Sequence, residues 1–179
     1  MRAGRYYEAA PAVCPGRYHP PHMIRSATPE DIPSIARLIR ALAEYEKLSH
    51  EVVLREEDLR QHLFGERRHA EVVLAEDGGQ VVGFALFFHN YSTFLSKPGI
   101  YLEDLFVLPE QRGRGHGKRL LSHLAKLAVE RGCGRFEWSV LDWNTPSIEF
   151  YKSFGAVPMS DWTVFRVTGE ALERLARAT

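Results

Sequence analysis

Cysteine is scarce in this chain of 179 residues: Cys14 and Cys133 are the only two, far apart and in no C-x-x-C pair. That excludes a disulfide framework and a thiolate zinc site. Cys133, just after Gly132, reads as a small buried residue rather than a nucleophile. Long apolar runs are missing too. None approaches the roughly 18 residues that a spanning helix needs, and no apolar stretch near the start reads as a secretory signal. An excess of one charge is also absent, since 23 basic residues face 23 acidic ones. Bulk electrostatic gripping of nucleic acid or of an anionic membrane is therefore not expected, and the chain reads as a cytoplasmic protein. His62, His69, His89, His116 and His123 form no i,i+4 pair with a carboxylate partner, so no metal is expected. What is present is apolar residues at 45%, enough to exclude disorder for the bulk of the chain and to build one core.

Residues 1–22 carry four prolines and no period of 2 or 3.6, and read as an extended tail. From Met23 the pattern alternates. A short strand is expected at 23–27, followed by Thr28 as N-cap and Pro29 at the first helical position. Ile32, Ile35, Ala36, Leu38, Ile39, Leu42 and Ala43 then give an apolar stripe running to about residue 47. A more polar helix is expected over 54–64. Strands at 71–75 and 81–88 flank Asp77-Gly78-Gly79, a strong hairpin signal. Residues 91–99 read as a loop and 100–108 as a strand. A helix built on Leu120, Leu121, Leu124, Leu127 and Ala128 closes at Gly132. A strand at 135–141, a helix at 146–154, a strand at 162–167 and a helix from 169 complete the pattern. The order predicts a single α/β domain with a mixed sheet, over 23–179.

The most informative stretch is Gln111-Arg112-Gly113-Arg114-Gly115-His116-Gly117-Lys118, between a predicted strand and a predicted helix. Its glycines let a ligand approach the backbone. The helix N-terminus behind them presents free N–H groups and a favourable dipole, and the basic side chains add local positive charge. The spacing points to a phosphate or pyrophosphate cradle of a particular kind. A Walker A loop fails, because Arg112 stands at its first glycine and Arg119 at its hydroxyl position. A Rossmann fingerprint fails, because Lys118 stands at its last glycine.

The pattern that fits is Arg112-x-x-Gly115-x-Gly117. It resembles the acetyl-CoA pyrophosphate loop of the GNAT superfamily of N-acetyltransferases. The flanking blocks Tyr101-Leu102-Glu103-Asp104-Leu105-Phe106-Val107 and Leu141-Asp142-Trp143-Asn144-Thr145-Pro146-Ser147-Ile148-Glu149-Phe150-Tyr151 are similar to the spermidine/spermine (diamine) N-acetyltransferase branch, with its thialysine-acetylating relatives. Ile24-Arg25-x-Ala27 and Ala43-Glu44-Tyr45-Glu46-Lys47-Leu48 match that branch as well. The resemblance implies a GNAT-type fold and transfer of the acetyl group of acetyl-CoA to a small cationic amine, in a homodimer. A protein lysine or an aminoglycoside as acceptor, or a cofactor-binding module without turnover, are the alternatives.

Glu103 and Asp104 sit in an apolar strand, where neighbours point to opposite faces, so the two meet different surroundings. A half-buried carboxylate with a raised pKa suits general-base work on an ammonium, whose ordinary pKa is near 10. The resemblance implies Glu103 as the base, acting through water, and Tyr151 as the acid. It implies cofactor contacts from Leu105, Phe106, Val107, Arg112, Gly113, Arg114, Gly115, His116, Gly117, Lys118, Asn144, Ser147 and Lys152. For the amine it implies Tyr45, Glu46 and Glu103, with Glu137, Trp138 and Trp143 as further candidates, since acid plus aromatic suits an ammonium. Polyamine-selective members carry an acid where Thr93 stands here, beside an aromatic position held by Leu95. That departure favours a short diamine or a thialysine-, lysine- or ornithine-like amine.

Overall fold

The computed structural model describes residues 22–178, so the expected tail lies, except for His22, outside the described residues. Contacts divide the chain into two units, one ending at Ser139 and one beginning at Val140.

The first unit is a five-stranded sheet in the order β1-β2-β3-β4-β5, formed by Met23–Ser26, Glu71–Asp77, Gln80–Ser92, Lys97–Val107 and Arg135–Trp138. The first four strands pair antiparallel and β5 joins β4 in parallel, which makes the sheet mixed as predicted. The helices are α1 (Ile32–Tyr45), α2 (Glu56–Phe64) and α3 (His116–Glu130). The stripe of α1 buries Ile32, Ile35, Leu38 and Leu42 against Val72, Leu74, Phe84 and Phe106 of the sheet. Val73 and Ala75 alternate to the opposite face, where they are also buried; α3 lies against β2, β3 and β4. Burying each large side chain contributes roughly 1.5–3 kcal/mol, so the helix-on-sheet faces dominate the stability.

The hairpin signal holds: Gly78 and Gly79 both adopt positive φ (57° and 79°) between β2 and β3. Several boundaries differ from expectation. α1 ends at Tyr45 and α2 starts at Glu56. The expected loop at 91–99 is largely strand, because β3 and β4 stay paired out to Ser92↔Lys97. Only 93–96 turns, with Thr93 and Leu95 exposed at its tip. β5 ends at Trp138 rather than residue 141, since its pairing with β4 stops at Leu102↔Trp138.

The second unit holds α4 (Thr145–Lys152) and α5 (Gly169–Ala176). The strand expected at 162–167 does not form. A strand requires a hydrogen-bonded neighbour, and among the described residues none pairs with this segment. Its apolar side chains Trp162, Val164 and Phe165 are exposed.

One charged cluster ties β1 to β2 and to the start of α1. Arg25 donates to both oxygens of Asp31 at 2.7 Å and to Glu76 at 2.7 Å, while Asp31 also accepts from the Thr28 backbone N–H at 2.8 Å. The Arg25 hydrogen bonds hold the Asp31 carboxyl below its ordinary range. Its stabilising contribution is thus present above the unfolded carboxyl pKa and is lost as pH falls through the lower folded value. Replacing Arg25 by Ala strands two largely buried carboxylates and should cost about 3 kcal/mol in urea unfolding. Asp31→Asn should lose about 2 kcal/mol at pH 7, with the gap to wild type closing as the pH is taken below 4.

Candidate active site

β4 sets the geometry. Leu86 faces Asp104 and Phe87 faces Leu102, so Glu103 is an extra residue in the ladder, a β-bulge. On its other edge β4 is paired with β5 only as far as Leu102. From Glu103 to Val107 that edge carries no strand partner among the described residues, which leaves the backbone there open for an extended ligand to pair with.

The two acids meet different surroundings, as alternation along a strand requires. Glu103 is exposed, whereas Asp104 is largely desolvated, and burial together with the Glu103 and Glu46 carboxylates pushes it up to about 6. The reasoning that asked for a raised pKa in this pair therefore lands on Asp104, a residue the sequence did not select. Burial also pushes Glu46 up. Glu46, Glu103 and Asp104 thus make one acidic end where the end of α1 meets β4, suited to a cation.

Tyr45, expected on the amine side, packs 6.3 Å from the Phe106 ring and carries the Arg112 guanidinium 4.4 Å above its own ring. Arg112 also donates from Nε to the Val107 carbonyl at 3.1 Å. Glu137, another amine candidate, is already engaged: Arg135 pairs with it at 2.8 Å and Asn90 donates to it at 2.8 Å. Trp138 closes β5 with its ring 4.9 Å from Phe136.

The glycine loop follows Val107. Gly113 and Gly115 have φ of 76° and 80°, and a Cβ at Gly113 would meet open space, so the conformation itself calls for glycine. Gly115 caps α3 without a side chain, which leaves the first N–H groups of the helix uncapped by any side chain. Arg114 pairs with Asp77 at 3.3 Å, and Arg119 donates to the Arg114 carbonyl at 2.7 Å. Gly117 and Lys118 lie in the first turn of α3. His116, among the cofactor contacts that the resemblance implies, is 1% exposed; burial, with Arg119 nearby, pushes its imidazole below the ordinary histidine range. Positive-φ glycines, uncapped helix N–H groups and clustered guanidiniums fit a pyrophosphate.

In the second unit Asn144 is buried and its side chain accepts from the Ser147 backbone N–H, capping α4. Tyr151 is half-buried on α4, its ring 5.5 Å from Phe150. Lys152 donates to Glu149 at 3.0 Å. Trp143 is 53% exposed.

With this geometry in hand, the sequence model of the Acetyltransferase (GNAT) family matches residues 35–156. The chain belongs to that family. It is 40% identical over 164 residues to a thialysine N-epsilon-acetyltransferase of Mus musculus, a match covering 86% of this chain and 96% of that one. An L-ornithine N5-acetyltransferase of Arabidopsis thaliana is 35% identical over 197 residues, covering 85% and 86%. Among solved structures, an integron cassette protein from the mobile metagenome of V. cholerae superposes with a TM-score of 0.74 at 27% identity, covering 88% of this chain and 98% of that one. The GNAT chain described here is thus an acetyl-transferring enzyme of a family that uses acetyl-CoA.

The loop assignment gives a controlled test. Gly113→Ala and Gly78→Ala both place a Cβ at positive φ with nothing near it, so each should lose roughly 1–3 kcal/mol of stability. Only Gly113→Ala should also weaken coenzyme A binding, by about tenfold in calorimetry. Equal coenzyme A affinity in the two variants would remove the loop as the anion site.

Proposed function

We propose that this enzyme transfers the acetyl group of acetyl-CoA to the primary amine of a small cationic substrate of the diamine, thialysine or ornithine class. The observation that carries this reading is the acidic end formed by Glu46, Glu103 and Asp104 beside the open edge of β4. A cation fits three carboxylates that repel one another, and the aromatic Tyr45 lies at the same end. The names of the relatives agree on amines of this kind. Thr93 and Leu95, neither acidic nor aromatic, at the tip of the β3–β4 turn favour a short acceptor over a long polyamine.

When bound, acetyl-CoA supplies the activated acyl group. The open backbone of Leu105 and Val107 and the buried Phe106 beneath it hold an extended chain along β4. Arg112, Gly113, Arg114, Gly115, His116, Gly117 and Lys118 hold the phosphates; for Asn144, Ser147 and Lys152 of the second unit a cofactor contact rests on the motif alone. The amine arrives as an ammonium and has to lose a proton. Glu46 and Asp104 hold the ammonium, and Glu103, on the bulge and solvent-exposed, takes its proton through water, leaving the neutral amine to attack. The motif resemblance also names Trp138 and, separately in the second unit, Trp143 for the amine, whereas Glu137 is already held by Arg135 and Asn90. Tyr151 donates to the departing sulfur, an assignment that rests on the motif. A second reading, favoured by the desolvation of Asp104, gives it the proton-accepting role. An acid near 6 is better matched to neutral operation than an ordinary carboxyl.

Thiol release from acetyl-CoA, followed across putrescine, spermidine, thialysine, lysine and ornithine, tests the reading. Stimulation by at least one short amine is expected, and cofactor binding without stimulation by any of them overturns it. Tyr151→Phe should lower kcat about a hundredfold while acetyl-CoA affinity is kept. Below pH 6 protonation of Asp104 removes a negative charge from the amine site, so kcat/KM should fall on the acid side. Asp104→Asn removes that limb on either reading, so the decision lies in kcat at its plateau: if Asp104 is the proton acceptor, Asp104→Asn lowers it about a hundredfold and Glu103→Gln much less, and if Glu103 is, the order reverses.

We also propose that the enzyme is a cytoplasmic homodimer. Val157, Met159, Trp162, Val164, Phe165 and Val167 form an exposed apolar row in the second unit, and a second copy would cover it. Sedimentation velocity should show a dimer that Phe165→Asp converts to monomer, and a monomeric wild type at micromolar concentration contradicts the assembly.

A further inference from the structure

Three donors remote in the sequence meet where the glycine loop joins α3. Asp77 is the last residue of β2. His22 precedes β1, whose register Met23↔Glu76, carried one residue further, sets His22 opposite Asp77. His116 is the first residue of α3. His22 Nδ1 lies 3.4 Å from Asp77 Oδ1, and His116 Nε2 lies 3.5 Å from Asp77 Oδ2. The two imidazoles stand edge to face, 5.2 Å apart, and one donor atom from each of the three residues lies within 4.8 Å of the others.

From this arrangement we infer that His22, Asp77 and His116 form a binding site for a divalent transition metal of the zinc type, beneath the anion-binding loop.

The separations suit that ion. Zinc–nitrogen and zinc–oxygen bonds of about 2.0–2.2 Å in a tetrahedron place neighbouring donors about 3.4 Å apart; His22 Nδ1 stands 3.4 Å from Asp77 Oδ1 and His116 Nε2 3.5 Å from Asp77 Oδ2, so each imidazole faces its own oxygen of the one carboxylate near that spacing. Two imidazoles and one carboxylate are a borderline donor set that suits zinc and its neighbours, and is unlike the six or more oxygens that calcium takes. His116 adds an independent sign. It is 1% exposed, and both ring nitrogens are buried without a hydrogen bond, since 3.5 Å to Asp77 is beyond good hydrogen-bond length. Leaving such a group unsatisfied costs about 1–3 kcal/mol, which ligation would recover. The His22 side chain is 39% exposed, so an ion has a path in and water can take the fourth position. Arg114, 3.3 Å from Asp77 Oδ2, shares with His116 the oxygen that the ion would take over, while Oδ1 faces His22. An occupied site would fasten the start of β1, the β2–β3 turn and the first turn of α3 to one another.

The test is a calorimetric titration of the full-length, chelator-stripped protein with Zn2+ alone, repeated with Co2+ to read its visible spectrum. One equivalent is expected, with a rise in Tm and a Co2+ spectrum of low coordination number. His22→Ala and Asp77→Asn should each weaken binding by at least about tenfold, and His116→Gln by more. Because His116 is buried and its variant can fail to fold, the exposed His22→Ala and the near-isosteric Asp77→Asn carry the decision. No heat and no Tm change up to millimolar Zn2+ overturns the site. So does one-equivalent binding that survives both of those substitutions. Neither readout involves acetyl-CoA or an amine, so this result stands apart from the proposed reaction.

Discussion

β4 has a strand on both sides only as far as Leu102, and the rest of the active-site geometry depends on that limit. β5 leaves at Trp138, while β3 follows β4 to Val107 by absorbing Glu103 as a bulge. A strand edge left open in this way presents unspent N–H and C=O groups in a row, which proteins ordinarily pair, blunt or cover. Here the open stretch is followed, across the Pro109–Gln111 turn, by the glycine loop, a succession that on the proposed reading takes an extended chain and then its phosphates. Beside the bulge Glu103 is exposed, while Asp104, on the face of Leu102 and Phe106, is desolvated near Glu46. The open edge follows from the end of β5, and the acidic end from the strand alternation that sets Asp104 on the same face as Leu102 and Phe106.

The balanced charge of the chain resolves into opposite signs at opposite ends of this track. Acids gather where α1 ends and β4 bulges; guanidiniums gather between Val107 and α3. Arg112 joins the two ends. It stacks on Tyr45, the last residue of α1, and holds the carbonyl of Val107, the last residue of β4. An arginine expected only to meet phosphate thereby also fixes the aromatic wall of the amine end. Its removal would loosen both.

What was legible in the sequence was what depends on local pattern. The α1 stripe, the Asp77-Gly78-Gly79 turn and the glycine loop each carry their signal within a few residues, and each is in place. What was not legible depends on partners distant in the chain. Leu102 to Leu105 read as a plain strand, because a bulge is defined by the register of the facing strand. The desolvated acid therefore could not be told from its neighbour. The alternating 162–167 reads as a strand only if something pairs with it, and 91–99 read as a loop although β3 and β4 pair through most of it. Asp77 was legible as a turn residue, yet its three neighbours, His22, Arg114 and His116, come from segments that spacing alone does not bring together.

Those contacts bear on how the loop binds an anion at all. A flexible basic loop would have to lose the rotamer freedom of several long side chains on meeting a phosphate, roughly 0.5–1.5 kcal/mol for each. In this structure Arg112 is held by Tyr45 and Val107, Arg114 by Asp77, and Arg119 by the Arg114 carbonyl. Much of that ordering is already done by the fold. The arrangement has a converse: Asp77 stands in for part of the anion while the loop is free, and an incoming phosphate competes with it for Arg114. Affinity at the loop is thus set as much by how firmly Asp77 is engaged elsewhere as by the number of basic residues. On the proposed reading, the carboxylate at the hairpin turn therefore tunes the loop although it would touch no cofactor.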